Sequence, residues 1–259
     1  MGATRMNCAG AALGLALVCA GPLAFGAEPA MSFSTGLEYS SGRYGGTDDI
    51  EELYVPVSGF FYFDRIAVGV TVPYLSVRAP AGTEDPGGEP VPGSGEIDTQ
   101  SGLGDVVIGM TVYDVLNNYD RSIALDITGK IKVGSADPDK GLGTGEEDYL
   151  LRADLYRFFE RFTLMGSGGY KVRGDPPGVD LKNTWLGSVG GSYLLNNGAR
   201  VGLMYDYRES SLEDSDDISE LTLYSGFRLT DTWDLQVFAF SGFSDSSPDW
   251  GAGIYVYLH

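Results

Sequence analysis

Hydrophobic and polar residues alternate with a period of two along most of the chain, most clearly from residue 122 to residue 133. In this stretch, SIALDITGKIKV, the odd positions are apolar apart from Gly129, and the even positions are mostly polar or charged. A period of two is typical of a β-strand with two different faces. Strands of soluble sandwiches are usually about 5–6 residues long. A strand about twice that length with this pattern suits a wall between hydrocarbon and water.

Stretches of strand length with this alternation recur about twelve times between Met31 and Leu258. Long, mostly acidic segments alternate with short turns, such as Asp64-Arg65 and the hairpin signal Asn196-Asn197-Gly198. Outer-membrane barrels have long extracellular loops and short periplasmic turns. The sequence therefore predicts an all-β fold, a single transmembrane antiparallel β-barrel of about 12 strands with both termini on the periplasmic side. Residues 79–101 are predicted to be one long loop, followed by a fourth strand from about residue 104 to residue 115.

The first 26 residues have the pattern of a secretory signal peptide. Arg5 supplies the positive charge, residues 9–20 form an apolar segment too short to span a membrane as a helix, and Ala24 and Gly26 offer small residues for cleavage. We predict a signal peptide over residues 1–26 and a barrel over residues 27–259, exported to the outer membrane of a Gram-negative cell. Both cysteines, Cys8 and Cys19, lie in the signal segment, so no disulfide is expected in the barrel.

Charge narrows the range of partners. The chain has 17 Lys and Arg against 36 Asp and Glu, a formal net charge of −19, and most of the acidic excess lies in the predicted loops. Nucleic acid is excluded as a partner because its phosphates require clustered basic residues. The expected partners are outer-membrane lipid and a small-molecule solute. No nucleotide motif or metal-ligand cluster is evident, so we expect passive diffusion without a cofactor.

The polar face of the predicted strands contains charged residues, and these are predicted to face the lumen. These candidates for lining the lumen or binding solute are Asp126, Lys130, Lys132, Arg152, Asp154, Lys171, Arg173, Asp206, Arg208, Glu220 and Arg228. They could attract polar or anionic solutes, or they could pair with one another and brace a narrow barrel. Barrels of eight strands are filled by side chains and barrels of sixteen to eighteen hold a water channel, so about twelve strands predict a narrow lumen.

Three residues around the start of the fourth predicted strand, Gly102, Gly104 and Asp105, are candidates for a constriction. The alternative is a strand start where glycine permits a bend or a bulge. The segments that contain them, SGLGDVVIGM at residues 101–110 and DRIAVGVTVPYL at residues 64–75, resemble a known family. It comprises outer-membrane transporters grouped under the MetA pathway of phenol degradation. The shared features are Pro73-Tyr74 near the end of an early strand, a variable loop, and Gly102-Leu103-Gly104-Asp105 opening the next strand.

This resemblance implies uptake of small, often aromatic or hydrophobic, molecules across the outer membrane. The chain departs from the usual barrel pattern at its end, where Leu258 and His259 replace a terminal aromatic residue. Two other classes remain. A structural or adhesion barrel would have a plugged lumen. An outer-membrane hydrolase is disfavoured because His259 is the single histidine of the chain and no nucleophile motif is evident. The sequence therefore predicts a passive transporter and no enzyme.

Overall fold

The computed structural model describes residues 31–83, 89–116, 122–137 and 140–259. The predicted signal peptide lies outside these residues. The described residues form thirteen strands: β1 Met31–Gly42, β2 Ile50–Phe63, β3 Ile66–Pro80, β4 Ile97–Leu103, β5 Val106–Val112, β6 Ile123–Val133, β7 Asp148–Phe158, β8 Phe162–Val172, β9 Thr184–Leu194, β10 Arg200–Arg208, β11 Ile218–Arg228, β12 Trp233–Gly242 and β13 Trp250–Leu258. Among the described residues, no helix is long and apolar enough to cross a membrane.

The strands form one closed antiparallel ring. Strands that are neighbours in sequence pair, except β4 and β5, and β1 closes the ring by pairing with β13 from Phe33 opposite Leu258 to Ser41 opposite Trp250. Two of the strands, β4 and β5, occupy a single place in the ring, because both pair with β3. The molecule is therefore a 12-stranded barrel, as the sequence predicts. Apart from β4, every strand pairs on both sides, which a strand surrounded by lipid requires.

The fourth place in the ring is interrupted at Gly104 and Asp105, between β4 and β5. Residues 74–80 of β3 pair with β4, and residues 66–71 pair with β5. The prediction of one loop over residues 79–101 is therefore wrong. In the structure β3 continues to Pro80, and β4 begins at Ile97. Only β5 pairs onward with β6, so β4 extends the wall on the side of the long loops and has β3 as its one partner.

The two faces of the wall match the alternation of apolar and polar residues in the sequence. Large apolar side chains point outward and remain exposed, for example Leu151 at 63%, Val189 at 62% and Leu223 at 62%. Strand residues of the opposite parity are buried inside the ring, for example Ala124, Asp154 and Thr222. Exposed aliphatic residues around a whole closed wall would be unfavourable in water. They are the arrangement expected of a barrel surrounded by hydrocarbon.

The connections alternate in length around the ring. Those at one end span residues 43–49, 81–96, 134–147, 173–183, 209–217 and 243–249, and those at the other end include residues 64–65, 159–161, 195–199 and 229–232. The predicted turn at Asn196-Asn197-Gly198 is present, with φ of 85° at Gly198, where the left-handed backbone favours glycine. We take the long-loop end as extracellular. Trp185 and Trp250 lie at the extracellular ends of β9 and β13, and Trp233 lies at the periplasmic end of β12.

Candidate functional site

The barrel interior contains most of the charged residues predicted to face it. Asp126, Asp154, Arg173, Arg208 and Glu220 are buried, and Lys130, Lys132, Arg152, Lys171 and Asp206 are half-buried. Arg228 differs, because it is the last residue of β11 at the periplasmic end and its side chain is 47% exposed. It pairs there with Asp234, whose other carboxylate oxygen contacts His259 at 3.1 Å. The charged residues thus extend through the bore and are concentrated near its extracellular half.

A chain of ion pairs lines the extracellular end of the lumen on the β5 to β8 side. The Lys132 ammonium lies 2.9 Å from Asp105 and 3.5 Å from Asp148, and the Lys171 ammonium lies 2.9 Å from the same Asp148 oxygen. Each cation faces a carboxylate, so the interpretation of paired charges that brace the wall has direct structural support here. The lumen wall here is a polar surface whose local charges largely compensate.

Asp105 links the interruption in the wall to the loop between β6 and β7. Its Oδ1 accepts hydrogen bonds from the backbone N–H groups of Ser135 and Ala136, at 3.0 and 2.9 Å, while its Oδ2 accepts from Lys132. The loop packs closely: a Cβ on Gly143 would lie 2.7 Å from Asp105 Oδ2. Gly104 donates its N–H to Pro73 O at 2.9 Å, which keeps the interruption against β3. Asp105 therefore holds a loop in place at the rim.

Replacing Asp105 with alanine should loosen this loop. The variant loses two backbone hydrogen bonds to a carboxylate and one ion pair, and hydrogen bonds to charged groups each contribute about 1.5–3 kcal/mol. Local opening should then become at least roughly tenfold more frequent. Lys140 is the one lysine or arginine within residues 134–147, so the rate of trypsin cleavage after it measures the opening.

The control for this experiment is Asp98→Ala. Asp98 lies on β4, and its carboxylate accepts bonds from its close neighbours Thr99 and Gln100. Cleavage that rises equally in both variants, or in neither, would contradict an anchoring role for Asp105.

The loop between β3 and β4 reaches the opposite side of the barrel through Glu89. This side chain is 2% exposed. Its carboxylate accepts hydrogen bonds from Ser210 Oγ at 2.7 Å, from Ser211 N at 2.9 Å and from Ser211 Oγ at 2.9 Å. The Arg173 guanidinium, itself fully buried, lies 3.5 Å away. Glu89 is thus held by two loops, one between β8 and β9 and the other between β10 and β11.

Ring order shows that residues 89–96 of this loop, between Glu89 and the start of β4, pass over the extracellular mouth. The loop is rooted between β3 and β4, and Ser210 and Ser211 lie between β10 and β11, six ring places away in either direction. Pro92 packs against the loop between β1 and β2, where a Cβ on Gly46 would lie 2.8 Å from Pro92 Cβ. The described part of the loop therefore contacts three other loops. We refer to residues 89–96 as the mouth loop.

The receiving loop is itself ordered by Asp217. The Tyr207 hydroxyl and the Ser210 backbone N–H donate to the two oxygens of this carboxylate, at 2.5 and 2.9 Å. These hydrogen bonds stabilise the ionised form and hold the pKa of Asp217 below its ordinary value. The arrangement fixes the position of Ser210, which donates its hydroxyl to Glu89.

A small pocket lies about halfway down the lumen between β7 and β10. Arg152 donates to Asp154 from Nε at 2.7 Å and approaches the same oxygen from Nη2 at 2.6 Å. On the facing strands, Ser188 Oγ donates to Asp206 Oδ1 at 2.6 Å. Apolar lining comes from Tyr156, Met165 and Met204. We refer to this space as the mid-lumen pocket.

The other side of the lumen is aromatic and acidic. The Tyr255 hydroxyl lies 3.3 Å from Glu38, and the Tyr257 hydroxyl lies 3.2 Å from Gln236. The Phe238 ring stacks on the Tyr255 ring with centroids 5.7 Å apart. These side chains lie on the side of the bore formed by β1, β12 and β13, opposite the charged residues of β6 through β10.

Two residues of this interior could not be assigned from the sequence candidates. Asp148 joins two lysines of the ion-pair chain, and its even position continues the inward parity of β7, which is the signal that could have found it. Glu89 lies in a loop without periodicity, 121 residues from Ser210, and no local pattern points to it. The constriction predicted at Gly102, Gly104 and Asp105 stays a prediction; the structure places these residues at the interruption of the wall.

A family model matches most of the sequence. The family described as “Putative MetA-pathway of phenol degradation” matches residues 52–259. Comparison with curated protein sequences gives no match. Among solved structures, the chain is similar to the COG4313 outer membrane channel from Pseudomonas putida F1, with a TM-score of 0.70 and 13% identity over 92% of this chain and 98% of that chain. It is also similar to the KdgM porin, with a TM-score of 0.54 and 7% identity over 88% and 98% of the two chains.

At these identities the structural likeness establishes the fold and nothing finer. The fold that is shared is a closed antiparallel barrel of the kind found in outer-membrane channels. It agrees with the exposed apolar exterior and the charged interior of this chain.

Proposed function

The chain belongs to the MetA-pathway family of phenol degradation, and on that premise we propose that it is a passive outer-membrane channel for small solutes, aromatic or hydrophobic ones among them. The solute would move down its concentration gradient, without a cofactor, after the chain has been exported by its signal peptide. The observation that carries this proposal is a closed barrel with an apolar exterior and a charged bore.

We propose that the charged residues of the interior line the path. Near the mouth a solute would pass the chain of ion pairs from Asp105 to Lys171, and deeper it would pass Arg152, Asp154 and Asp206. Compensated charges favour small neutral or polar solutes over highly charged ones, because a charged solute gains little from a wall that is already paired. Gly102, Gly104 and Asp105 remain candidates for a constriction, since they lie where the wall is interrupted at the rim.

A similarity to solved channels supports the proposal at the level of the fold. The two solved structures described above carry the names of a channel and of a porin. The match covers 98% of each of those two chains, so neither has an additional domain that this barrel lacks.

One observation favours a second candidate, a barrel that is closed in its resting state. The mouth loop crosses the extracellular opening and is held there by the buried Glu89 carboxylate. A structural or adhesion barrel would keep this arrangement permanently. Single-channel recording in planar bilayers separates the two, because a permanently plugged barrel carries no ionic current.

The transport proposal is tested by uptake in cells with and without the protein. The outer membrane of intact cells is the right setting, since small aromatics cross simple phospholipid vesicles unaided. We expect faster uptake of small neutral aromatics in cells that contain the barrel, with small sugars and multivalent anions less affected. Equal rates in the two strains for every solute would overturn the proposal.

A further inference from the structure

The carboxylate of Glu89 is bound by groups that belong to two other loops. Its Oε1 accepts from the backbone N–H and the hydroxyl of Ser211, both at 2.9 Å, and its Oε2 accepts from Ser210 Oγ at 2.7 Å. The Arg173 guanidinium lies 3.5 Å from Oε1. Donors thus engage both oxygens of a planar anion, which is the arrangement of a receptor for a carboxylate. We refer to Arg173, Ser210 and Ser211 as the Glu89 site.

The Glu89 site is held together by contacts that do not involve the mouth loop. Asp217 accepts from the backbone N–H of Ser210 at 2.9 Å. Lys182 donates its backbone N–H to Ser211 O at 2.8 Å, which joins the loop after β8 to the loop after β10. Arg173 directly follows the last residue of β8. The donors are therefore preorganised by their own loops, and another carboxylate could use them when Glu89 leaves.

Glu89 also completes the charge balance at this end of the lumen. The chain of ion pairs from Asp105 to Lys171 has two carboxylates and two lysines. Arg173 is a third cation, close enough to interact with Lys171 and Asp148. Glu89 supplies the third carboxylate. A buried charge without compensation is unfavourable, so release of Glu89 leaves a site that attracts a single negative charge.

We propose that the Glu89 site is a binding site for a small monocarboxylate, and that Glu89 is the tethered occupant which this ligand displaces. The ligand carboxylate takes over the contacts of the Glu89 carboxylate, and its carbon chain extends into the space that the side chain leaves at the mouth. One carboxylate replaces another, so the charge of the wall stays balanced. The inference rests on the proposed function only in treating the mouth as the entry for solutes. It adds a ligand class and a means by which that ligand releases the mouth loop.

Binding is tested with the whole barrel in lipid nanodiscs and with propionate, which has the carbon and oxygen atoms of the glutamate side chain. Propionamide has a similar size but no charge. In Glu89→Gly, NMR titration of the 13C-labelled ligands should show propionate binding at least about tenfold more tightly than propionamide, because hydrogen bonds to a charged acceptor are stronger. The wild type should bind propionate about hundredfold more weakly than Glu89→Gly does, since the ligand binds only to the small fraction of barrels in which the loop is released.

Further variants test the assignment of the residues. Ser211→Ala in the Glu89→Gly background removes a hydroxyl donor and should weaken propionate binding about tenfold. Ser244→Ala in the same background removes a hydroxyl that bonds with Ser247 in the loop between β12 and β13, and it should leave the affinity unchanged. Glu96→Gly removes an exposed glutamate from the mouth loop and should bind propionate as weakly as the wild type. Glu89→Gln places a neutral amide in the site, so its affinity for propionate should lie between those of the wild type and Glu89→Gly; it replaces the glycine variant if that variant does not fold.

The outcomes distinguish this inference from the proposed function. Equal binding of propionate and propionamide by Glu89→Gly, or equal affinity of the wild type and Glu89→Gly for propionate, would overturn the site even if cells take up neutral aromatics through the barrel. Selective binding of propionate that is strengthened by removal of Glu89 and weakened by Ser211→Ala supports the site even in a barrel without measurable transport.

Discussion

Replacing Glu89 with alanine is expected to release the mouth loop and raise the ionic conductance of a single barrel. The carboxylate accepts hydrogen bonds from three donor groups and faces a fully buried guanidinium. Removing one partner of a buried charge pair costs about 3–5 kcal/mol. That energy corresponds to a more than hundredfold change in the ratio of the held loop to the released loop.

The matched control is Glu96→Ala. Glu96 lies on the same loop, its side chain is exposed, and the change removes the same charge from the same region. Recordings in planar bilayers should therefore show a larger or more frequent open level for Glu89→Ala than for Glu96→Ala. Two variants with the same conductance as the wild type, in barrels that are correctly folded, would sink the assignment of Glu89 as the residue that holds the loop.

A cross-link provides the opposite perturbation. The sequence from residue 31 onward contains no cysteine, so Glu89→Cys with Ser211→Cys introduces the only reactive pair in the barrel. Joining the pair with a short bifunctional thiol reagent should suppress current, and a cleavable reagent should restore it on reduction. Each single cysteine variant treated in the same way serves as the control.

Prediction from the sequence succeeds where the structure is imposed locally by the membrane. Leu223 and Thr222 occupy opposite faces because adjacent residues of a strand always do, and hydrocarbon on one face forces the apolar parity. The same reasoning places Arg152, Asp154 and Asp206 inside. It cannot show that Asp206 and Arg152, which lie three ring places apart, border one pocket, because that depends on the curvature of the closed ring.

Prediction from the sequence fails at segments that lie beyond the part of the wall surrounded by hydrocarbon. β4, with the sequence IDTQSGL, has little apolar alternation because it extends the wall beyond β5 on the side of the extracellular loops. No hydrocarbon selects its outward residues there, and the segment appears in the sequence as part of a polar loop. Glu89 presents a related difficulty, since its partners are set by a contact across the barrel mouth and carry no sequence period.

The second large effect tests whether lipid surrounds the wall, through Leu223→Arg. Leu223 is the middle residue of β11, points outward and is 62% exposed. An arginine at the bilayer midplane destabilises a transmembrane barrel by about 2–4 kcal/mol, whereas near the interface the cost falls to about 0–1 kcal/mol. Urea titration of the barrel folded into phospholipid vesicles measures the change.

Leu229→Arg, in the short turn after β11, makes the same substitution at a residue that is 56% exposed and serves as the interface control. A large loss for Leu223→Arg with little loss for Leu229→Arg is the depth dependence that hydrocarbon imposes. Equal and small losses at both positions would mean that water, and not lipid, covers the middle of this wall.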